Sequence, residues 1–301
     1  MPEGDTIRRL ANAIEHKFLG QRITHSVFRH PSLALARLDN STLDSADARG
    51  KHLLVRISDG RTLHAHMLMQ GRVRFGRAHE VPEWRRRFEI EFETGVITGI
   101  DVPKIEMIKT RNERRVVAHL GPDLCGHYDH DRAVERLSTA GSGPLGGSLL
   151  DQRLIAGFGN IYAVETPFIC GISPFQPVES ITDLARVVAV GAALIRTNAS
   201  LGPQRTTGQS RVRADHWILP NERRRCLVCG ARVTRYTGRQ SPWQRRLGVC
   251  PQCQPRASEA TVERERVRAL LANHPARKIL DLDNGRLSVS TDNNVESISL
   301  R

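Results

Sequence analysis

Four cysteines constrain this chain more than any other feature: Cys226-x2-Cys229, twenty further residues, then Cys250-x2-Cys253. Two Cys-x2-Cys knuckles supply four thiolates, the ligand set of a closed tetrahedral zinc site. Four sulfurs leave no position open to a substrate, so the single Zn2+ is expected to hold structure and not to catalyse. The spacing predicts a zinc-ribbon hairpin, with strands over residues 232–236 and 244–247 and tight turns at Gly230 and Gly248. Two disulfides are the competing reading. The N-terminus lacks a charged-then-apolar leader, and no apolar run approaches the ~18 residues of a membrane span. A cytoplasmic chain is therefore expected, and a reducing compartment favours metal over disulfides. Cys125 and Cys170 stand apart and read as small buried hydrophobes.

Charge points to the partner. Among 301 residues, Lys and Arg number 45 against 32 Asp and Glu, a net charge of +13. Such an excess suits a polyanion and says nothing about fold. Between Arg205 and Arg256 lie twelve arginines and no lysine, opposed only by Asp215 and Glu222. A solvated face mixes signs, so phosphate contact is the expectation around the ribbon.

The length suggests two or three domains. Ile7, Leu10, Ala11, Ile14 and Phe18 recur at helical spacing, with Asp5 or Thr6 placed to cap the start and Gly20 to end it. Residues 22–108 read as β: a strand over 52–57, a turn at Asp59-Gly60, a return strand over 62–69, and strict alternation of Phe88, Ile90 and Phe92 with glutamates. Many short strands indicate a sandwich or barrel. Helices are expected over 131–139, 149–156, 161–169 and 182–197, with a Gly-rich linker at 141–147 and a mobile polar loop over 200–214. A further helix is expected over 259–273, followed by a polar end.

The candidate chemistry begins at Met1-Pro2-Glu3-Gly4. Removal of Met1 makes Pro2 a terminal secondary amine. A terminal α-amine has a pKa of about 8 against about 10.4 for lysine, so far more of it is unprotonated at neutral pH. Attack on a sugar C1′ would leave an iminium, and the adjacent Glu3 could move protons. Read blandly, Pro2 is a processing signal and Glu3 a first-turn acid that suits the helix dipole. Lys51, after Arg49-Gly50, is either a catalytic-site cation, aimed at a phosphate or at the developing charge of a reacting sugar, or an exposed lysine. Leu68, Met69 and Gln70 are either a wedge for a duplex or core packing with a polar turn. His64 and His66 share a strand face and read as structural. Asn160, after Gly157-Phe158-Gly159, can cap a helix whose N-terminal amides face an anion.

Taken in order, five motifs resemble the formamidopyrimidine-DNA glycosylase/endonuclease VIII family. They are Met1-Pro2-Glu3-Gly4, Arg49-Gly50-Lys51-His52-Leu53-Leu54, the run from His66 to Gly71, Leu150-Asp151-Gln152 through Ile161-Tyr162, and the ribbon ending Cys250-Pro251-Gln252-Cys253-Gln254. The resemblance covers residues 1–256. It implies an α+β chain: an N-terminal β-sandwich with flanking helices (1–125), a helix-two-turn-helix domain (126–218) and a zinc ribbon (219–256), with DNA between the halves. Residues 257–301 form an extension beyond the family's usual end. The resemblance implies a bifunctional glycosylase/AP lyase, with Pro2 as nucleophile and Glu3 as general acid/base. Lys51, Asn160 and Arg245 follow as phosphate contacts. The implied partner is double-stranded DNA carrying oxidised bases or abasic sites, met by a monomer at the nucleoid. Glu3-Gly4 with Ile7-Arg8-Arg9 resembles the pyrimidine-directed branch; oxidised purines are the alternative substrate. Departures are Thr6, where a second glutamate is common, Ile218-Leu219-Pro220-Asn221 in place of a Tyr-Gly-Arg turn, and a long hairpin that leaves Arg246 or Arg239 able to replace Arg245. A non-catalytic zinc-ribbon DNA binder, and Lys51 as Schiff-base lysine, are the competing readings.

Overall fold

The computed structural model describes residues 2–208, 215–219, 225–237, 243–255, 286–291 and 294–299. It is an α+β chain that divides into two compact units, Met1–Leu120 and Gly121–Arg301.

The first unit opens with α1 (Gly4–Phe18), whose Ile7, Ala11, Ile14 and Phe18 are buried as their spacing requires. The cap differs from expectation. Glu3 takes the N-cap position in extended conformation, so Asp5 and Thr6 lie inside the first turn. Gly20, at φ +74°, turns the chain out of the helix. Eight strands follow: β1 (Ile23–Phe28), β2 (Leu43–Arg49), β3 (His52–Ile57), β4 (Arg61–His66), β5 (Arg72–Phe75), β6 (Arg86–Phe92), β7 (Gly95–Ile100) and β8 (Lys104–Lys109). They form two antiparallel four-stranded sheets, ordered β1-β6-β7-β5 and β2-β3-β4-β8. Residues of both sheets and of α1 share one core, as in a β-sandwich. Strand β4 ends at His66, earlier than the expected Met69, because Met67–Gly71 closes a turn. A short α2 (Arg114–Val117) completes the unit.

The second unit contains α3 (His130–Ser138), α4 (Leu145–Ser148), α5 (Asn160–Ile169) and α6 (Leu184–Leu201). Asp129 and Asp183 cap α3 and α6 through their side chains. Among the described residues α6 alone is long and apolar enough to cross a membrane, and it is largely buried in the core. It also carries the chain through Ser200 and Leu201, which were expected to begin the loop. Residues 209–214 of that loop lie outside the described residues.

The helix expected over 149–156 is absent. Its apolar spacing is real, since Leu149, Ile155 and Ala156 are buried. The backbone pairs elsewhere: Gly121 N–H donates to Gln152 O, and Ala156 N–H to Pro122 O. Asp151 accepts from Arg153 N, an Asx turn that competes with helix. The Gly-rich linker instead carries α4.

Strands β9 (Thr234–Tyr236) and β10 (Leu247–Val249) form the ribbon hairpin. Gly230 turns the chain at φ +74°, whereas Gly248 lies inside β10 opposite Arg235. A last antiparallel hairpin pairs β11 (Arg286–Thr291) with β12 (Asn294–Ser299). The helix expected over 259–273 lies outside the described residues.

Candidate nucleic-acid site

In the first unit, register and tethers gather the candidates at one end. Gly20 N–H donates to Leu43 O at 2.8 Å, holding the end of α1 to the start of β2. Near the other end, Arg8 pairs with Asp47 at 2.5 Å and donates to Ala48 O, beside the end of β2. Helix and strand therefore run antiparallel. Pro2 and Glu3 lie at the same end as Arg49-Gly50-Lys51. Glu3 is fully buried, at the positive end of α1; Pro2 and Lys51 are half-buried.

Directly opposed residues in antiparallel strands share a face. Arg49, His52, His66 and Lys104 are opposed in turn, so they form one row across β2, β3, β4 and β8 at this end. The 67–71 turn extends from the row. Met67 is buried, while Leu68 and Met69 are 49% and 55% exposed and Gln70 is also exposed. Core packing thus falls to Met67 and not to Leu68 or Met69. Leu68 holds φ +46°, and its N–H donates to His66 Nδ1 at 3.1 Å. A Cβ on Gly71 would lie 2.7 Å from Met67 O, so the turn needs glycine there.

Two lattices of side chains were not foreseen. His64 is fully buried, donating from Nδ1 to Glu106 at 2.7 Å, with its Nε2 2.7 Å from His52 Nδ1. Burial lowers both His64 and His52, so both imidazoles are neutral at neutral pH; with His64 Nδ1–H given to Glu106, its Nε2 accepts from His52. Burial, then His66, His64, His119 and Lys104, push His52 down to about 3. Burial and Lys51 push His66 down to about 4. The second lattice is Glu113 with Arg56 and Thr62.

In the second unit, Gln152 shapes the turn before α5: its Nε2 donates to Leu150 O and Phe158 O, and its Oε1 accepts from Gly157 N. Gly159, not Asn160, is the N-cap, and Asn160 is the first helical residue. Asn160 Nδ2 donates to Arg246 O at 2.8 Å. The helix N-terminus and the ribbon arginines, remote in sequence, are thereby brought together. Arg245 and Arg246 are exposed. Of the other ribbon-region arginines, Arg211, Arg213, Arg223, Arg224, Arg239 and Arg256 lie outside the described residues.

The four cysteines meet. Their Sγ atoms all lie within 4.8 Å of one another, with Cys226–Cys253 at 3.8 Å and Cys229–Cys250 at 3.4 Å. A tetrahedral ion with bonds of about 2.3 Å separates its sulfurs by about 3.8 Å. Val228 N–H points at Cys226 Sγ and Cys253 N–H at Cys250 Sγ, as thiolate acceptors require. The residues therefore fit a four-sulfur metal ion. Gln254 anchors the knuckle by accepting from Cys250 N and donating to Ile172 O.

Glu165 was also missed. It is fully buried in α5 and accepts from Thr206 Oγ1 and from the backbone N–H groups of Trp217, Ile218 and Leu219. Its signal in the sequence was a lone acid in an apolar helical run.

Residues 1–116 match the family model of the formamidopyrimidine-DNA glycosylase N-terminal domain. The chain is 34% identical over 266 residues to a probable endonuclease 8 2 of Streptomyces coelicolor, covering 84% of this chain and 94% of that one. It is 33% identical over 257 residues to the DNA-(apurinic or apyrimidinic site) lyase Nei2 of Mycolicibacterium smegmatis, covering 84% and 99%. The fold resembles that of the LlFpg protein in complex with a THF-DNA and an inhibitor: TM-score 0.71, 22% identity, 85% of this chain and 100% of that one.

Proposed function

The chain belongs to the formamidopyrimidine-DNA glycosylase/endonuclease VIII family and is a DNA glycosylase/AP lyase of base excision repair, and we propose that it excises oxidised bases, pyrimidines in preference, through a Schiff base on Pro2. The observation that carries this reading is the gathering of Pro2, Glu3, Lys51 and the exposed 68–70 turn at one end of the sandwich.

A base inside a duplex is out of reach, so the target nucleotide flips out and Leu68, Met69 and Gln70 fill the gap. The Pro2 nitrogen, freed by removal of Met1, attacks C1′, and the bond from C1′ to the base breaks. The proton of the resulting ammonium passes to the departing base, the C1′–O4′ bond opens, and Glu3 gives a proton to O4′. The resulting iminium acidifies C2′. Removal of that proton expels the 3′ phosphate by β-elimination, and a second elimination can expel the 5′ phosphate. Lys51, Asn160 and Arg245 hold backbone phosphates. Cys226, Cys229, Cys250 and Cys253 hold one Zn2+, which stabilises the ribbon and takes no part in the chemistry. Residues 1–125 form the catalytic domain, 126–218 the helix-two-turn-helix domain and 219–256 the ribbon, with 257–301 as an extension. The protein works as a cytoplasmic, nucleoid-associated monomer.

Borohydride should trap the protein on abasic-site DNA with the adduct on Pro2 by mass spectrometry. In single turnovers, thymine glycol should be excised faster than 8-oxoguanine opposite cytosine. An adduct on Lys51 overturns the nucleophile; faster 8-oxoguanine excision overturns the pyrimidine preference.

A further inference from the structure

Between β9 and β10 the ribbon returns through Trp243, Gln244, Arg245 and Arg246. The indole of Trp243 lies on α4: a Cβ added at Gly146 would meet two of its ring carbons at 2.8 Å and Pro174 Cβ at 3.1 Å. Phe175 flanks it, with ring centroids 5.8 Å apart, and Phe175 in turn packs edge-on against Tyr236 of β9 at 5.1 Å. The floor beneath the indole is fixed, because Leu145 N–H donates to Gln176 O and Gly146 N–H to Pro174 O, both at 2.9 Å. The indole N–H has no acceptor among the described residues, so shape and apolar contact hold the ring.

Gln244 then takes φ +54°, a left-handed conformation uncommon for a residue other than glycine. It turns the chain sharply between the docked indole and Arg245. On the far side, Arg246 O is held by Asn160 Nδ2. Arg245 is thus bracketed by a packed ring two residues before it and a pinned carbonyl one residue after it. A long side chain on a hairpin loses conformational freedom when it grips a phosphate, and fixing its backbone beforehand reduces that cost.

We propose that Trp243, seated on the glycine surface of α4, is the positioning residue that presents Arg245 to a DNA phosphate. The inference rests on Arg245 being a phosphate contact. It adds that the contact is made only while the ring is seated, and that Gly146 is glycine because any larger residue unseats it.

The test uses the full zinc-loaded chain and a duplex with one tetrahydrofuran abasic-site analogue, with affinity measured across a salt series. Each phosphate contact contributes about 0.9 to the slope of log K against log salt. Arg245→Ala should lower the slope by that amount. Trp243→Ala should lower it equally while zinc content is unchanged, and the double variant should show no further fall. In single-turnover cleavage of abasic DNA, Trp243→Ala should weaken half-saturation and leave the maximal rate intact, and Trp243→Phe should restore most of the affinity. A Trp243→Ala slope equal to the parent's, beside a lowered Arg245→Ala slope, overturns the positioning role. An unchanged slope in Arg245→Ala removes the phosphate contact itself. Should Trp243→Ala lose zinc, Gly146→Ala decides in its place: a lowered slope supports the role and a parental slope overturns it.

Discussion

Replacing Glu165 with glutamine should leave the second unit nearly as stable at pH 7 and clearly less stable than the parent at pH 5, by amounts that the geometry sets. One oxygen of Glu165 accepts from Ile218 N at 2.9 Å and Leu219 N at 2.8 Å; the other accepts from Trp217 N at 2.7 Å and from the Thr206 hydroxyl. An amide keeps one oxygen. If that oxygen serves Ile218 and Leu219, the new NH2 faces the Trp217 N–H. The Thr206 hydroxyl can turn to accept, but Trp217 is left without an acceptor, at a cost of about 1–3 kcal/mol. Against this, burial pushes the Glu165 carboxyl up to about 6, and keeping it ionised at pH 7 costs about 2 kcal/mol, which glutamine avoids. At pH 7 the two terms nearly cancel, leaving a net change within about 1 kcal/mol of zero, or roughly 4 °C in Tm at most for a unit of this size. The pH dependence follows from the raised pKa. The ionised carboxyl weakens the fold above its folded pKa, and this penalty is relieved as pH falls through about 6 toward the unfolded value. The parent should therefore gain stability relative to Glu165→Gln between pH 7 and pH 5. Thermal unfolding of both proteins at the two pH values measures this. A parent that gains nothing on Glu165→Gln between pH 7 and pH 5 would refute the reasoning.

The first unit should respond to acid in the opposite sense. His52 binds a proton more weakly folded, at about 3, than unfolded, so its contribution is intact above about pH 6.5 and lost as pH falls; at pH 5 the loss is about 2 kcal/mol. His52→Asn should flatten that part of the urea-unfolding profile, and an equally steep profile in the variant would assign the acid sensitivity elsewhere. Cys250→Ser should bind less than one zinc per chain and lose DNA affinity, because the metal fixes the ribbon that carries Arg245; full zinc content by metal analysis would remove Cys250 from the ligand set.

The sequence alone determined whatever is written in local spacing. The buried stripe of α1, the alternation that buries Phe88, Ile90 and Phe92 in β6, and the two cysteine knuckles all emerge where the spacing puts them. Each depends on residues a few positions apart, where helix, strand and knuckle geometry leave little choice. Tertiary structure decided the rest. Apolar spacing over residues 149–156 suited a helix, but the segment's backbone bonded to residues 121 and 122 instead. Nothing local distinguishes buried Met67 from exposed Leu68 and Met69; the turn that separates them sits at the end of β4, whose place is set by pairing with β3 and β8. Glu165 with residues 206–219, His52 with His64 and Glu106, and Asn160 with Arg246 join side chains to groups from 12 to 86 residues away. A polar side chain carries the capacity for such a bond in its own chemistry. Its partner is chosen when packing removes water and leaves one acceptor or donor within reach, and that choice belongs to the folded chain.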